Sequence, residues 1–361
     1  MSYIATIGTS IPEYHLKQME IKKLVKEIFS KSDREIERLL PVFDHANIFE
    51  RQFVVDSSWF LESHSFKERN KLYKEKTIVH SLHAIDECLS KGENLTEAVP
   101  YHAIDAIIFV SSTGISTPSI DAHLINERNF REDIVRIPLW GLGCAGGVNG
   151  LARAHEWLSY YTNGAVLLVN VELCSLTFQK DDDKKSNFIG TALFGDGVSA
   201  TLVLGEQSPY LTKGCGSIPS IKKTSTRTKK NALDVMGWDI TNNGFEVVFA
   251  KSIPQLVRTF WKQHVFDFLY ESGLSTNQIP FYVAHPGGKK VLEAMEEVLQ
   301  ITREHLHYSY QILENHGNMS SVTIFYILKE WMKEDVTKGT KSIISALGPG
   351  FSSELISLEW E

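Results

Sequence analysis

Cys144 lies in the run GLGCAGG (141–147), directly ahead of VNGLARAHEWLSYY, whose apolar positions Val148, Leu151, Trp157, Leu158 and Tyr161 fit one face of a helix. A thiol at a helix entrance meets the positive end of the helix dipole and unpaired N–H groups. These lower its pKa and raise the fraction of thiolate available to attack a carbonyl. The flanking glycines let a substrate approach the sulfur closely. Taken alone, the run also fits a cysteine that merely fills a tight turn. Cys88, Cys174 and Cys215 read as small buried hydrophobes. The four cysteines stand too far apart for a CxxC metal site or a disulfide framework.

A nucleophilic thiol needs a base, and FYVAHPGG (281–288) puts His285 at the end of an apolar strand, just before a Pro-Gly-Gly turn. An imidazole there can take the thiol proton, pair with the thiolate and later donate to an oxyanion. With 13 histidines in the chain, a hydrogen-bonded structural histidine is the plainer alternative. In ENHGNMSSVTIFYIL (314–328), Asn318 follows a glycine and opens an apolar helix. It reads either as an N-cap or as an amide donor to a substrate carbonyl that adds no competing titratable group. Gly348, Pro349 and Gly350 form a turn after a strand, serving as punctuation or as a pocket wall.

The elements that must hold these residues alternate. Short β-rich runs, 106–110, 165–173, 198–204, 281–284 and 342–347, predict buried strands. Between them, 76–89, 148–161, 254–270, 290–299 and 321–332 show helical spacing, which together predicts an α/β layered fold. The segment 205–230 breaks the rhythm with Gly, Pro and Ser and then the basic run KKTSTRTKK. The boundary between halves is set there, as 1–207 carrying Cys144 and 208–361 carrying His285 and Asn318. The basic run and the stretch Asp181-Asp182-Asp183-Lys184-Lys185 both read as solvated loops.

Length and charge narrow the function. A chain of 361 residues with 43% hydrophobic content can bury a large core. A net charge of −7 gives no bulk attraction to nucleic acid or to an anionic membrane, so an anionic ligand must be captured locally. The amino terminus lacks a signal-peptide pattern, and no apolar run reaches the ~18–20 residues that span a bilayer. A cytoplasmic protein without integral membrane association is expected.

In order along the chain, GLGCAGG, ALFGDG (192–197), AHPGG, GNMSS and GPG resemble the chalcone synthase, or type III polyketide synthase, family over almost the whole length. The resemblance implies a thiolase-like five-layer αβαβα fold of two related halves, in a homodimer, with no metal or prosthetic group. Its substrates would be CoA thioesters. The family's Cys-His-Asn set falls on Cys144, His285 and Asn318, and its gatekeeping phenylalanine on Phe194. The implied reaction is an iterative decarboxylative condensation of malonyl-CoA onto an acyl-CoA starter carried on Cys144.

Other positions depart from plant members. Val247 stands where a second gatekeeping phenylalanine is usual, and Thr117 where a methionine is lent across the dimer. Cys174 replaces a pocket threonine, while Thr113, Thr177 and Ser320 fall on cavity-lining positions. A more apolar pocket follows, suited to a fatty acyl chain, and the chain resembles Bacillus-type synthases that form triketide or tetraketide alkylpyrones. For CoA, Arg38, His45, Gly287 and Gly288 are the nearest candidates, with Pro41 where an arginine is usual.

Four rival readings share some of these residues. A β-ketoacyl-ACP synthase III-like enzyme uses Cys, His and Asn with a carrier protein, and a chalcone-type synthase uses an aromatic starter. A papain-like protease has the same residue order but a different motif around its cysteine. An acyl-CoA-binding protein that has lost turnover would not need all three groups.

Overall fold

The protein is described here from a computed structural model covering residues 1–29 and 31–361. Nine strands pair side by side in the order Phe281–Ala284, Lys341–Gly348, Ser352–Trp360, Pro219–Thr228, Ser2–Ser10, Asp196–Gly205, Ala165–Leu173, Ala106–Val110 and Val135–Leu139. The arrangement repeats itself. Ala106–Val110 is parallel to Ala165–Leu173, which is antiparallel to Asp196–Gly205, which is antiparallel to Ser2–Ser10. Phe281–Ala284, Lys341–Gly348, Ser352–Trp360 and Pro219–Thr228 follow one another in the same senses. The two sets join where Ser2 and Tyr3 face Ile221 and Ser220.

Alternation along the strands builds the layers. Ile107 and Phe109 pack with Ala84, Ile85 and Leu89 of the outer helix Phe66–Leu89. Ala106, Ile108 and Val110 belong instead to a middle cluster, with Val148 and Leu151 of helix Gly146–Tyr160 and Ile324 and Leu328 of helix Thr323–Lys333. Val283 and Ile344 of the second strand set close that cluster from the other side. Tyr282, Ile343 and Leu355 face a third cluster, under helices Lys262–Glu271 and Lys289–Leu299. Helices, sheet, central helices, sheet and helices make the five-layer αβαβα, thiolase-like fold of two related halves. The two central helices are the ones that follow Cys144 and Asn318.

The structure corrects one loop. Residues 222–228 of the basic run lie in strand Pro219–Thr228, which pairs along its length with Ser352–Trp360. Three of its cations pair with neighbours: Lys222 meets Glu361 at 3.2 Å, Lys223 meets Glu271 at 2.9 Å and Arg227 meets Asp267 at 2.7 Å. The run is polar because only part of this strand is covered, and the paired backbone makes it a strand all the same. The outer helix starts ten residues before the periodic segment, at Phe66, where Ser65 and Glu68 form a capping box. Among the described residues no helix is long and apolar enough to cross a membrane.

Candidate active site

Residues Gly143–Ala145 form a single 3-10 turn that runs straight into helix Gly146–Tyr160, so Cys144 stands at the helix entrance. The Gly143 N–H donates to Ser112 Oγ at 3.0 Å, anchoring the turn to the end of the neighbouring strand. From the second half, the Gly348-Pro349-Gly350 turn presses on its back. A Cβ on Gly348 would lie 2.5 Å from Ala145 Cβ and 2.6 Å from the Leu142 oxygen, so only glycine allows this contact.

His285 extends strand Phe281–Ala284, its N–H donating to the Ser345 oxygen at 2.8 Å. The ring is 3% exposed, and neither ring nitrogen has a partner among the described residues. Burial pushes its pKa down to about 3, so it is a neutral imidazole with one N–H and one lone pair.

Asn318 is fixed twice. Its N–H donates to the Leu193 oxygen at 2.8 Å and its own oxygen accepts from the Gly195 N–H at 3.0 Å, which splices it to the segment around Phe194. Its side-chain Oδ1 accepts from the Ser320 N–H at 2.8 Å. Ser320 adopts φ +49, a left-handed conformation that non-glycine residues rarely hold and that concentrates at functional sites. The Asn318 Nδ2 is buried without a partner among the described residues. Asn318 is not the cap of the apolar helix, which Val322 precedes; its side-chain oxygen braces the turn through Ser320, and its nitrogen faces no acceptor among the described residues.

The Cys144 Sγ lies 3.9 Å from Asn318 Oδ1. Its pKa does not follow the expectation from the helix dipole. Burial pushes it up to about 12; Ser320 and Asn318 counter this, and Glu172 adds to it. The sulfur sits in the middle layer, where desolvation outweighs the dipole. Glu172, which the motifs do not reveal, is itself fully buried. Its Oε1 accepts from Ser321 Oγ at 2.7 Å and Oε2 from the Ser112 N–H at 3.1 Å, and burial raises its pKa to about 7. One carboxyl thereby ties the Cys144 side of the site to the Asn318 side.

Cys144, His285 and Asn318 line a common cavity of about 500 Å³, within the ~300–1,000 Å³ of small-molecule sites. Arg38, His45, Gly287 and Gly288 line it too. So do Lys185, Lys251, Lys289 and Lys290, from three separate segments. Lys289 and Lys290 follow AHPGG directly and open an 11-residue helix. That adjacency is the one signal by which the sequence could have marked them. Lysines at a cavity margin beside a helix N-terminus suit phosphate groups.

The expected pocket residues scatter: Ser320, Gly348, Pro349 and Gly350 pack behind the site and line neither the large cavity nor the two smaller ones. Phe194, Val247, Cys174 and Thr177 line a second, mostly apolar cavity of about 40 Å³. Phe194 stacks on Phe249 with centroids 5.6 Å apart, and Phe249 lines the large cavity, so the Phe194 ring stands at the partition. Thr113 accepts from the Leu173 N–H at 2.9 Å and borders a cavity of about 10 Å³. Thr117 is exposed in the single chain and lines none of the three cavities.

Residues 2–207 match the family of the N-terminal domain of chalcone and stilbene synthases, and residues 223–359 that of the C-terminal domain. A Bacillus subtilis (strain 168) protein provisionally named a chalcone synthase is 46% identical over 100% of this chain and 99% of its own. An alpha-pyrone synthesis polyketide synthase-like protein of Mycobacterium tuberculosis is 25% identical over 98% of this chain and 90% of its own. Among solved structures, the 1,3,6,8-tetrahydroxynaphthalene synthase of Streptomyces coelicolor A3(2), a bacterial type III polyketide synthase, superposes with a TM-score of 0.89 at 25% identity, covering 99% of each chain. The domain matches span nearly the whole sequence in the order the motifs require, and the chain belongs to the chalcone and stilbene synthase family of type III polyketide synthases, which are acyltransferases.

Proposed function

We propose that the chain condenses malonyl-CoA repeatedly onto a fatty acyl-CoA starter held on Cys144, giving triketide or tetraketide alkylpyrones. The reading rests on one observation: at a single cavity, a thiol meets two nitrogen groups, on His285 and Asn318, that have no partner among the described residues.

Neutral His285 accepts the Cys144 proton as the sulfur attacks the starter thioester, and CoA leaves as a thiol after taking up that proton. The malonyl thioester oxygen then receives hydrogen bonds from the His285 N–H and the Asn318 Nδ2–H. The bond to the carboxylate breaks, carbon dioxide departs, and its electron pair becomes the enolate. The enolate carbon attacks the acyl-Cys144 carbonyl, a carbon–carbon bond forms, and the Cys144 sulfur is released with the pair from the broken C–S bond. The extended chain, now on CoA, returns to Cys144 for the next round.

Cavity volume, exclusion of water by Phe194 and the lysines that meet the CoA phosphates complete the scheme. The starter assignment draws on Val247 and Cys174, which leave the space beyond Phe194 apolar, and on the alpha-pyrone name of the mycobacterial relative. CoA thioesters are substrates here, and the chemistry calls on no metal or prosthetic group. The enzyme works in the cytoplasm as a homodimer, with Thr117 turned toward the partner's site. A starter panel tests the reading. Medium- and long-chain acyl-CoAs with malonyl-CoA are expected to give alkylpyrones by mass spectrometry, whereas turnover confined to an aromatic coumaroyl-CoA would overturn it.

A further inference from the structure

Arg51 is 1% exposed, lies in strand Glu50–Phe53, and reaches across to the helix that ends at Leu193. Its Nη1 donates to the Thr191 and Phe194 oxygens, both at 2.7 Å, and its Nη2 to Gln18 Oε1 at 2.7 Å. Gln18 Nε2 in turn donates to the Ala192 oxygen at 2.9 Å. The guanidinium and its amide partner thus bind three of the four carbonyls at 191–194, where a helix end leaves oxygens unpaired and favours a cation.

The stem of the same side chain supports the other half of the molecule. Gly317 adopts φ +69, and a Cβ there would lie 2.6 Å from Arg51 Cδ and 2.8 Å from the Leu193 oxygen. Gly317 precedes Asn318, whose backbone is bonded on either side of Phe194, to Leu193 and Gly195. Strand Glu50–Phe53 is also lashed to the helix before Gly317: Gln52 Nε2 donates to the Asn315 oxygen at 3.1 Å and Gln52 Oε1 meets His316 Nδ1 at 2.7 Å. Arg51 therefore touches, with one side chain, the Phe194 segment of the first half and the Asn318 segment of the second.

We propose that Arg51 is a positioning residue that locks the gate Phe194 and the donor Asn318 into one unit, so that the malonyl thioester meets both in fixed register. This rests on the proposed role of Asn318. A displacement of about 1 Å in such a group costs on the order of 100-fold in rate, whereas the turn that carries Cys144 is anchored separately, through Ser112 and Gly348, and its thiol meets the unit only at Asn318 Oδ1, 3.9 Å away.

The test measures three quantities on Arg51→Lys, Asn318→Ala and the double variant: malonyl-CoA decarboxylation without starter, alkylation of Cys144 by iodoacetamide, and the melting temperature. Arg51→Lys is expected to lower kcat for decarboxylation by about 10- to 100-fold, with KM and the alkylation rate each changed less than about 3-fold. The double variant is expected to be no slower than Asn318→Ala alone, because Arg51 acts through Asn318. Decarboxylation at the wild-type rate in Arg51→Lys, or losses that multiply in the double variant, overturns the inference. So does a parallel fall in alkylation and melting temperature, which marks a merely structural cation. Full activity in Asn318→Ala instead overturns the reading of the site. Gln18→Met, which removes the Nη2 partner and the amide bond to the Ala192 oxygen but leaves the guanidinium in place, repeats the test should Arg51→Lys not fold; it is expected to show the same split at about 3-fold, and an unchanged kcat overturns the inference.

Discussion

The thiol of Cys144 lies 3.9 Å from the side-chain oxygen of Asn318, and that oxygen is already held by the Ser320 N–H. The amide therefore shows its oxygen to the thiol and keeps its nitrogen for an incoming oxygen. The two residues come from different halves of the fold, and each precedes one of the two central helices. The pairing is thus a consequence of the two-half fold: the segment that leads into each central helix supplies one member, after a strand for Cys144 and after helix His307–His316 for Asn318.

Burial of both groups makes the resting site a neutral thiol beside a neutral imidazole. Alkylation of Cys144 by iodoacetamide is expected to climb about tenfold per pH unit between pH 6 and 9 without a plateau, as the small thiolate fraction rises toward a pKa pushed up to about 12. An inflection near pH 6 would instead reveal a standing thiolate–imidazolium pair.

Glu172 and His285 affect stability with opposite signs. The buried Glu172 carboxyl is raised from 4.5 to about 7, so the folded chain holds an extra proton across that window, and this group's stabilising share is lost as pH rises through it. Glu172→Gln is expected to gain melting temperature relative to the wild type at pH 8 and to gain less, or lose, at pH 5. His285 is lowered from 6.5 to about 3, so its share is lost as pH falls through that window. His285→Gln is expected to flatten the acid side of the melting-temperature profile.

Two glycines of one turn separate packing from backbone strain. Gly348→Ala drives a methyl into Ala145 and the Leu142 oxygen, and is expected to cost about 1–3 kcal/mol and to cripple condensation by shifting Cys144. Gly350 adopts φ +69 with no atom within 4 Å of an added Cβ. Its alanine variant is expected to cost about 1–2 kcal/mol and leave condensation largely intact. Denaturant melts and CoA release, measured on both, distinguish the two.

Val247 borders the cavity of about 40 Å³ beyond Phe194. Filling it with Val247→Phe is expected to shift the starter preference toward shorter chains while leaving malonyl-CoA decarboxylation, proposed for the cavity lined by His285 and Asn318, within about 3-fold of the wild type. Competition between two acyl-CoA starters, read by product mass, measures this.

Much of this site was legible because each key residue sits at a sequence-local junction. Strand Phe281–Ala284 and the turn after it can be read off FYVAHPGG, and the helix behind Cys144 off its apolar spacing. The groups that escaped are those whose meaning is long-range. Arg51 looks like one more cation until its acceptors arrive from residues 140 and 143 positions away, and Glu172 reads as part of a strand until Ser321 closes on it from the second half. The lysines of the cavity margin converge only after folding. Depth of burial is also invisible in a local motif, which is why the helix entrance predicted a lowered thiol pKa where desolvation raises it.

The most direct test of acyl transfer on Cys144 is intact-protein mass spectrometry during turnover with a fatty acyl-CoA and malonyl-CoA, on the wild type and Cys144→Ala. A starter-acyl adduct on Cys144 is expected to form and give way to adducts longer by two-carbon units, with neither adduct nor product in Cys144→Ala. Product formation by Cys144→Ala, or turnover of the wild type with no acyl adduct on Cys144, would contradict this expectation.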